Sequence, residues 1–470
     1  MRNYILLFLC CVAFHILGTW GLPLIDRDET RFAEASREMR QRSDYVIPYF
    51  NNEYRFDKPP LTYWCQVVSF RAFGETDFAA RFPTAVAATL VAIVLFAWGA
   101  RLHGNQTGWW AAIIFTLSLQ TFVHGKAAVA DMWLVLFFTL SCRAGWELLR
   151  STMFDWRWWS FFYVALAFGF LAKGPVGWIP LLAIVVAKRF FGTQKKLNAR
   201  FRFLIGVLLM LAIVCVWAVP ALIRTHGEFF RVGIMHHVVS RSLSPMEGHG
   251  ASSPLMYLAL LPFYFVTVFA SFFPWSIRLP ALWKNLRTKH DATDGFLLSG
   301  ILIVFAIFTL AKTKLPHYTL PAFPLLALLL ARRAEALQLS RPLAISVGSL
   351  YVAVALFGTS FLARFFPSYN LVRQSRLDFK PAMEFGAVDY VEPSLVWYSR
   401  AHVQGFMVPL RAKDAAAYMN RAGPRFVVLP TKLMSQMFPD RDREWRTYRT
   451  EGFNLAKGKR VDLTLLLKPR

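Results

Sequence analysis

The chain is short of charge, and shortest of negative charge. Asp, Glu, Lys and Arg together make up 17% of its 470 residues, whereas soluble domains carry about 25%. Hydrophobic residues reach 56% and aromatic residues 16%. This balance excludes an ordinary soluble globular protein and predicts a membrane protein, with 44 Phe and 16 Trp available for the two interfacial belts. Acids number 28 against 53 Lys and Arg, giving a net charge of +25. In a soluble chain that excess would point to nucleic acid. Here basic loops against anionic membrane lipids account for it, and no nucleic-acid partner is expected. Cysteine is scarce too. Cys10, Cys11, Cys65, Cys142 and Cys215 form no C-x-x-C pair and four sit in apolar runs, which excludes a disulfide framework and a structural zinc site. A G-x-G-x-x-G loop, low-complexity segments and internal repeats are also missing from the sequence. No Rossmann-type phosphate loop is therefore expected.

What is abundant is long apolar sequence. A spanning helix needs about 20 mostly apolar residues. Candidates are 4–24, 82–101, 108–125, 127–149, 157–172, 175–190, 203–223, 254–279, 295–312, 316–333 and 342–365. That is about eleven spans, within a range of roughly ten to thirteen. The first, in "MRNYILLFLCCVAFHILGTWGLPL", is long and lacks a small-x-small cleavage site, so it is read as an uncleaved span. The short loops "KRFFGTQKKLNARFR" (188–202), "KNLRTK" (284–289) and "ARRAEALQLSR" (331–341) are basic. Such loops stay in the cytoplasm, and span counting puts all three there with the N-terminus. The outer side then receives 25–81, tight turns near 124–127, 173–175 and 312–317, the loop 224–253, and everything after about 366. The tail alternates β-prone runs ("SLVWYSR", "RFVVLP", "VDLTLLLK") with helix-prone ones ("AKDAAAYMNRA", "TKLMSQMF"). It reads as a small extracytoplasmic α/β domain over 366–470, following a transmembrane domain over 1–365.

The polar residues sort to one side. Asp28, Glu29 and Arg31 follow the first span in "DRDETRFAEASREM"; Phe32, Ala35 and Met39 recur at helical spacing, so a helix lying in the interface is expected there. Asp57 and Lys58 stand in "FDKPP", where two prolines fix an extended turn. Asp131 lies just inside a span, in "ADMW". Lys173 lies in the outer turn "LAKGPVG" and His236, His237 and Arg241 in the loop "VGIMHHVVSR". Lys312, Lys314, His317 and Tyr318 lie in "AKTKLPHYTLP". Solvated helices, helix capping and snorkelling explain each stretch singly. Ionisable residues at membrane depth are costly, and a single site built from all of these stretches is the economical reading. Cations on rigid turns at the lipid–water boundary suit a phosphate in the headgroup region.

"DRDETRFAEASREM", "DYVIPYFNNEYRFDKPPLTYW", "ARFPTA", "ADMW", "LAKGP" and "AKTKLPHYTLPAFP" resemble, in this order over about 1–330, a bacterial family. It is that of the polyprenyl-phosphate-dependent glycosyltransferases of the glycosyltransferase C superfamily. That group includes undecaprenyl-phosphate aminoarabinose transferases acting on lipid A and protein O-mannosyltransferases. The resemblance implies an α-helical polytopic membrane fold of the glycosyltransferase C type in the bacterial inner membrane. It places an essential acid on Asp28, with Glu29 beside it, and a second acid on Asp131. It places lipid-phosphate ligands on Arg31, Lys58, Arg241 and Tyr318, and the family's loop histidine on His236, with His237 adjacent. The chain departs from the pattern at Phe32, where the family has a hydroxylated aromatic, and at Asp57, where it has Glu. Its tail is also short for an aminoarabinose transferase, and the acceptor stays open between lipid A or lipopolysaccharide, protein Ser/Thr and other envelope glycans.

Such a reaction needs no nucleotide. A sugar on a polyprenyl phosphate carries a good leaving group, which Arg31, Lys58, Arg241 and Tyr318 would stabilise as charge develops. Asp28 would take the proton of a hydroxyl acceptor, and single displacement would invert the anomeric carbon. Lys173, His237 and Lys314 join the site by their side of the membrane. No cofactor is required; Asp57 and His236 are suitable ligands for a divalent metal, though their spacing does not demand one. A lipid-linked-sugar transporter is the alternative of another class. It would show inverted repeats and midplane polar groups, which this sequence does not.

Overall fold

The computed structural model describes residues 1–191, 197–233, 253–439, 442 and 444–470. The chain forms two compact units. The first comprises Met1–Ile16, Phe56–Thr62 and Pro83–Tyr351; the second comprises Leu17–Arg55, Tyr63–Phe82 and Val352–Arg470. The first nine α-helices are α1 (Arg2–Ile16), α2 (Asp28–Arg42), α3 (Leu61–Phe73), α4 (Asp77–His103), α5 (Asn105–Thr116), α6 (Leu119–His124), α7 (Asp131–Arg150), α8 (Trp156–Lys173) and α9 (Ile179–Ala187).

The first unit is helical. Among the described residues, six helices are long and apolar enough to cross a membrane, or seven if the bent pair Phe263–Ser271 and Trp275–Thr288 is one span. The sequence suggested about eleven apolar spans, and the difference lies in breaks. The stretch 108–125 is split into α5 and α6 at Leu117 and Ser118. The stretch 316–333 opens with a 3-10 turn, Pro316–Ala322, before the helix Phe323–Ala331. Pro321 and Pro324 withhold two amide donors there, which an uninterrupted α-helix would need. The run Trp156–Phe191 reads as one apolar stretch of 36 residues but folds back on itself. In a straight helix Gly169 and Gly177 would lie about 12 Å apart, yet a Cβ on Gly177 would meet the Gly169 carbonyl carbon at 2.3 Å. The reversal runs through Gly174–Trp178, where Gly174 takes φ +75°, a conformation that costs other residues dearly.

Local signals fix the helix ends. The Asp155 carboxylate accepts from the amides of Arg157 and Trp158 at 2.9 and 3.3 Å, starting α8. Asp291 and Asp294 form a reciprocal cap on the helix Ala292–Leu310. Arg333 donates to Asp294 at 2.9 Å and Arg332 to Asp291 at 3.1 Å. Two cations of a basic loop are thus committed to a helix start. The interior is aromatic, with the fully buried Trp98 and Trp146 rings 6.0 Å apart.

The second unit carries the sheet. A short hairpin pairs β1 (Tyr49–Phe50) with β2 (Glu53–Tyr54). A five-stranded mixed sheet is built from β3 (Glu384–Val388), β4 (Met407–Leu410), β5 (Arg425–Pro430), β6 (Arg446–Asn454) and β7 (Lys459–Lys468), in the order β4–β3–β5–β7–β6. β3 is parallel to β4 and β5; β7 is antiparallel to β5 and β6. Phe426, Val428, Leu465 and Leu467 bury one face, and Val427, Leu429 and Leu466 the other. Strands buried on both sides read as continuous apolar runs, which is why "RFVVLP" and "VDLTLLLK" were legible as strands. The helices Ala412–Asn420 and Thr431–Met437 also fall where expected. "SLVWYSR" is different: it forms the helix Pro393–Ser399. Pro393 sets a helical φ at the first position, where its missing amide costs nothing. The turn then aims Trp397 Nε1 and the Tyr398 hydroxyl at the two Asp77 carboxylate oxygens, at 2.8 and 2.9 Å. Tertiary partners decide the state of such β-prone side chains.

Helix α2 occupies the expected residues, with Phe32, Ala35 and Met39 buried. Its charged face is buried as well, unlike that of a helix lying in the interface. The Glu34 carboxylate accepts from Arg37 at 2.6 Å and from Arg400. Arg37 donates to the Trp397 carbonyl at 2.8 Å and its guanidinium sits 3.7 Å over the Trp397 ring. Just before α2, the Asp26 carboxylate accepts from the Ser394 amide at 2.7 Å and the Ser394 hydroxyl at 2.6 Å. Burial, opposed by these bonds, pushes the Asp26 carboxyl up to about 6. The neutral form is therefore the one the fold prefers. Its contribution is fully present below about pH 4 and is lost as pH rises through about 6, a change of up to about 3 kcal/mol. Thermal unfolding in detergent from pH 4 to 7 is expected to show wild type losing stability relative to Asp26→Asn over that interval. Parallel profiles for the two proteins would refute it.

Candidate active site

Within the first unit, five elements bring charged and hydrogen-bonding side chains together. Asp131 opens α7 and is buried; Lys173 closes α8 and donates to its carboxylate at 2.6 Å. His317, on the 3-10 turn Pro316–Ala322, has Nε2 3.9 Å from the same oxygen. His124, the last residue of α6, stacks at a tilt on His317 with ring centroids 4.9 Å apart. The Tyr318 ring lies 5.6 Å below the Lys173 ammonium and packs edge-on to His317 at 5.1 Å. Lys58 lies near enough for its charge to act on the His317 imidazole. The "DKPP" turn holds it, its ammonium donating to the Asp57 carbonyl at 3.2 Å.

The Lys173–Asp131 pair is largely shielded from water, with side chains 16% and 11% exposed. A carboxylate so placed needs its partner, and the pair neutralises the only acid of this group. Lys58, the two imidazoles and the Tyr318 phenol stand around this pair as hydrogen-bonding groups. Such a set can hold an anionic oxygen and pass a proton.

The other expected residues are placed as follows. Asp28, Glu29 and Arg31 belong to the second unit, on the first turn of α2. Asp28 is exposed there, at the end of the helix that favours negative charge. Glu29 is 3% exposed, and both its oxygens accept from Arg81, at 2.8 and 2.6 Å; the Ile25 amide donates to it as well, at 2.8 Å. Its carboxylate thus holds the loop, a positioning role that stands beside the catalytic one read from sequence. Lys314 caps a helix: its ammonium donates to the carbonyls of Phe308, at 3.0 Å, and Thr309. That engagement accounts for its burial without a substrate. Arg241, His236 and His237 lie outside the described residues. The metal reading of Asp57 with His236 therefore rests on a residue outside the described ones. Sequence reasoning missed His124, which sits inside the apolar run "TFVHGKAAVADMW", and Arg81, the buried partner of Glu29. The helical spacing of Gln120 and His124, and an arginine inside a span, were the available signals.

The family described as dolichyl-phosphate-mannose-protein mannosyltransferase matches residues 57–219. An undecaprenyl phosphate-alpha-4-amino-4-deoxy-L-arabinose arabinosyl transferase from Yersinia pestis is 32% identical over 343 residues, 70% of this chain and 58% of that one. A second such transferase, from Sodalis glossinidius, is 31% identical over 339 residues, 69% and 58% of the two chains. The chain thus spans just over half the length of these relatives. The crystal structure of ArnT from Cupriavidus metallidurans bound to undecaprenyl phosphate superposes with a TM-score of 0.79, at 19% identity, over 99% of this chain and 98% of that one. A helical unit with apolar spans, a second unit with a small sheet, the collinear motifs and these relatives identify the chain as a member of the polyprenyl-phosphate-dependent glycosyltransferases of the glycosyltransferase C superfamily.

Proposed function

We propose that the protein transfers a sugar from an undecaprenyl (polyprenyl) phosphate to an extracytoplasmic acceptor, lipid A or lipopolysaccharide, with inversion at the anomeric carbon. The observation that carries this reading is the group of Lys58, Lys173, both imidazoles and Tyr318 on turns at helix ends. It suits a phosphate that stays in the headgroup region while its sugar leaves. The acceptor oxygen attacks the anomeric carbon, the bond from that carbon to the phosphate oxygen breaks, and polyprenyl phosphate departs with the electron pair. Lys58 and Tyr318 stabilise the developing charge, with Arg31 and Arg241 as further cations of the donor site. Asp28 takes the acceptor proton. Asp131 fixes Lys173.

The acceptor assignment rests on the arabinosyl transferases among the relatives and on the +25 net charge, which would draw acidic lipopolysaccharide. The mannosyltransferase match favours a second reading, a protein Ser/Thr acceptor. The three basic loops support a multi-pass inner-membrane protein with its N-terminus in the cytoplasm and 366–470 outside. Mass spectrometry of lipid A tests the proposal in cells lacking the gene, complemented with wild type or Asp28→Ala. A sugar-sized mass restored by wild type alone is expected. An unchanged lipid A profile on deletion would remove that acceptor and turn attention to glycoproteins. Restoration by properly inserted Asp28→Ala would remove Asp28 from the chemistry.

A further inference from the structure

We infer that His124, Asp131 and His317 form a binding site for one divalent transition metal of the zinc class. Each contributes one ligand atom, and the three atoms lie within 4.8 Å of one another. They come from three different elements, the end of α6, the start of α7 and the 3-10 turn Pro316–Ala322, so the fold and not local sequence assembles them. Two imidazoles and a carboxylate suit zinc, cobalt and their neighbours; magnesium and calcium prefer oxygen alone. Three protein ligands leave one position open, as in zinc sites that admit water or substrate.

The surroundings orient the ligands. His124 Nδ1 lies 2.8 Å from the Gln120 side-chain amide, one helical turn earlier. This contact engages Nδ1, so Nε2 is the nitrogen we assign as the ligand atom. With the Gln120 amide turned over, its oxygen accepts the Nδ1 proton of a metal-bound imidazole, the outer contact that ligating histidines ordinarily have. His317 already presents Nε2 toward Asp131. Bonds of about 2.0–2.1 Å in tetrahedral geometry put ligand atoms about 3.4 Å apart, so small side-chain movements close the set.

One group competes. The Lys173 ammonium rests on Asp131 and holds the place a metal would take. Metal binding must displace it, and the Tyr318 ring 5.6 Å away offers a cation–π position to receive it. The site therefore exchanges an ammonium for a metal, and each metal bound releases one lysine. None of this depends on the transferase reading.

Binding to the full-length, detergent-purified, tag-free protein tests it. After chelator treatment, titration with cobalt(II) is expected to give visible d–d absorption saturating at one ion per chain, displaced by zinc. His124→Gln and His317→Ala are expected to weaken binding at least tenfold, and His402→Ala, in the second unit, to leave it unchanged. Lys173→Met is expected to tighten it about tenfold, because it removes the competing cation. That variant guards against misfolding as an explanation, since a damaged site does not gain affinity. Absence of cobalt binding by folded protein would overturn the inference. So would binding that His124→Gln and His317→Ala leave intact, or binding that Lys173→Met weakens.

Discussion

Arg81→Leu is expected to destabilise the second unit by about 3–5 kcal/mol, the usual result of removing one partner from a buried ion pair. Arg81 is 2% exposed, and its guanidinium meets both Glu29 oxygens and the carbonyls of Thr19, Leu22 and Pro23. Leucine there would take the guanidinium donors away from a carboxylate that is 3% exposed and from three carbonyls. Glu29→Gln should cost much less, because an amide oxygen still accepts from Arg81. The double variant Arg81→Leu/Glu29→Leu should recover part of the loss, since no charge is then stranded. Thermal unfolding in detergent checks all three. An Arg81→Leu protein that melts with the wild type would show that the pair contributes nothing.

Lys58→Ala is expected to lower the rate of sugar transfer by about 10²–10³, the loss seen when one contact to developing negative charge is removed. The two prolines after Lys58 fix the turn, so alanine should remove the charge without moving the backbone. Lys58→Arg should retain a fraction of the rate, since the charge survives with a bulkier head. Tyr318→Phe should cost less than either, because a neutral donor is lost and not a cation. Transfer from a purified undecaprenyl-phosphate sugar in detergent measures each effect. If Lys58→Ala kept the wild-type rate, the phosphate would be held elsewhere. Lys173→Met under the same conditions would then separate the contribution of the second lysine.

The sequence made some of this legible. The "DKPP" and "KLPHY" elements announced themselves because proline fixes a turn wherever it stands, and a cation on such a turn is conspicuous in an apolar chain. Asp131 was found because an acid inside a span is rare. Its partnership with Lys173 was not visible, since 42 residues separate them and only the return of the chain at 151–155, which packs α8 back along α7, sets the last residue of α8 beside the first of α7. His124 was missed for the opposite reason: a single imidazole in an apolar run carries no local pattern. Glu29 was read as chemistry because it stands beside Asp28. Its burial against Arg81 depends on a contact 52 residues away. The strands β5 and β7 were legible as apolar runs, whereas β6, exposed along much of its length, was not. The helix Pro393–Ser399 defeated a propensity reading because its aromatics answer to Asp77.

The charged block around α2 has one more consequence, for the timing of biosynthesis. Glu34 is closed by Arg400, 366 residues later, and Asp26 by Ser394, 368 residues later. At roughly 5–20 residues per second a ribosome needs on the order of 20–70 s to cover that distance. Through all of it the segment carrying Asp28 has been made but lacks Ser394 and Arg400, although Arg37 stands beside Glu34 from the start and Arg81 follows Glu29 by 52 residues. A nascent chain therefore holds this segment part-finished while the helices after it are made, and completes it only when the helix Pro393–Ser399 and Arg400 arrive. Loss of the final hundred residues would then strip the beginning of the protein of its order as surely as a lesion there.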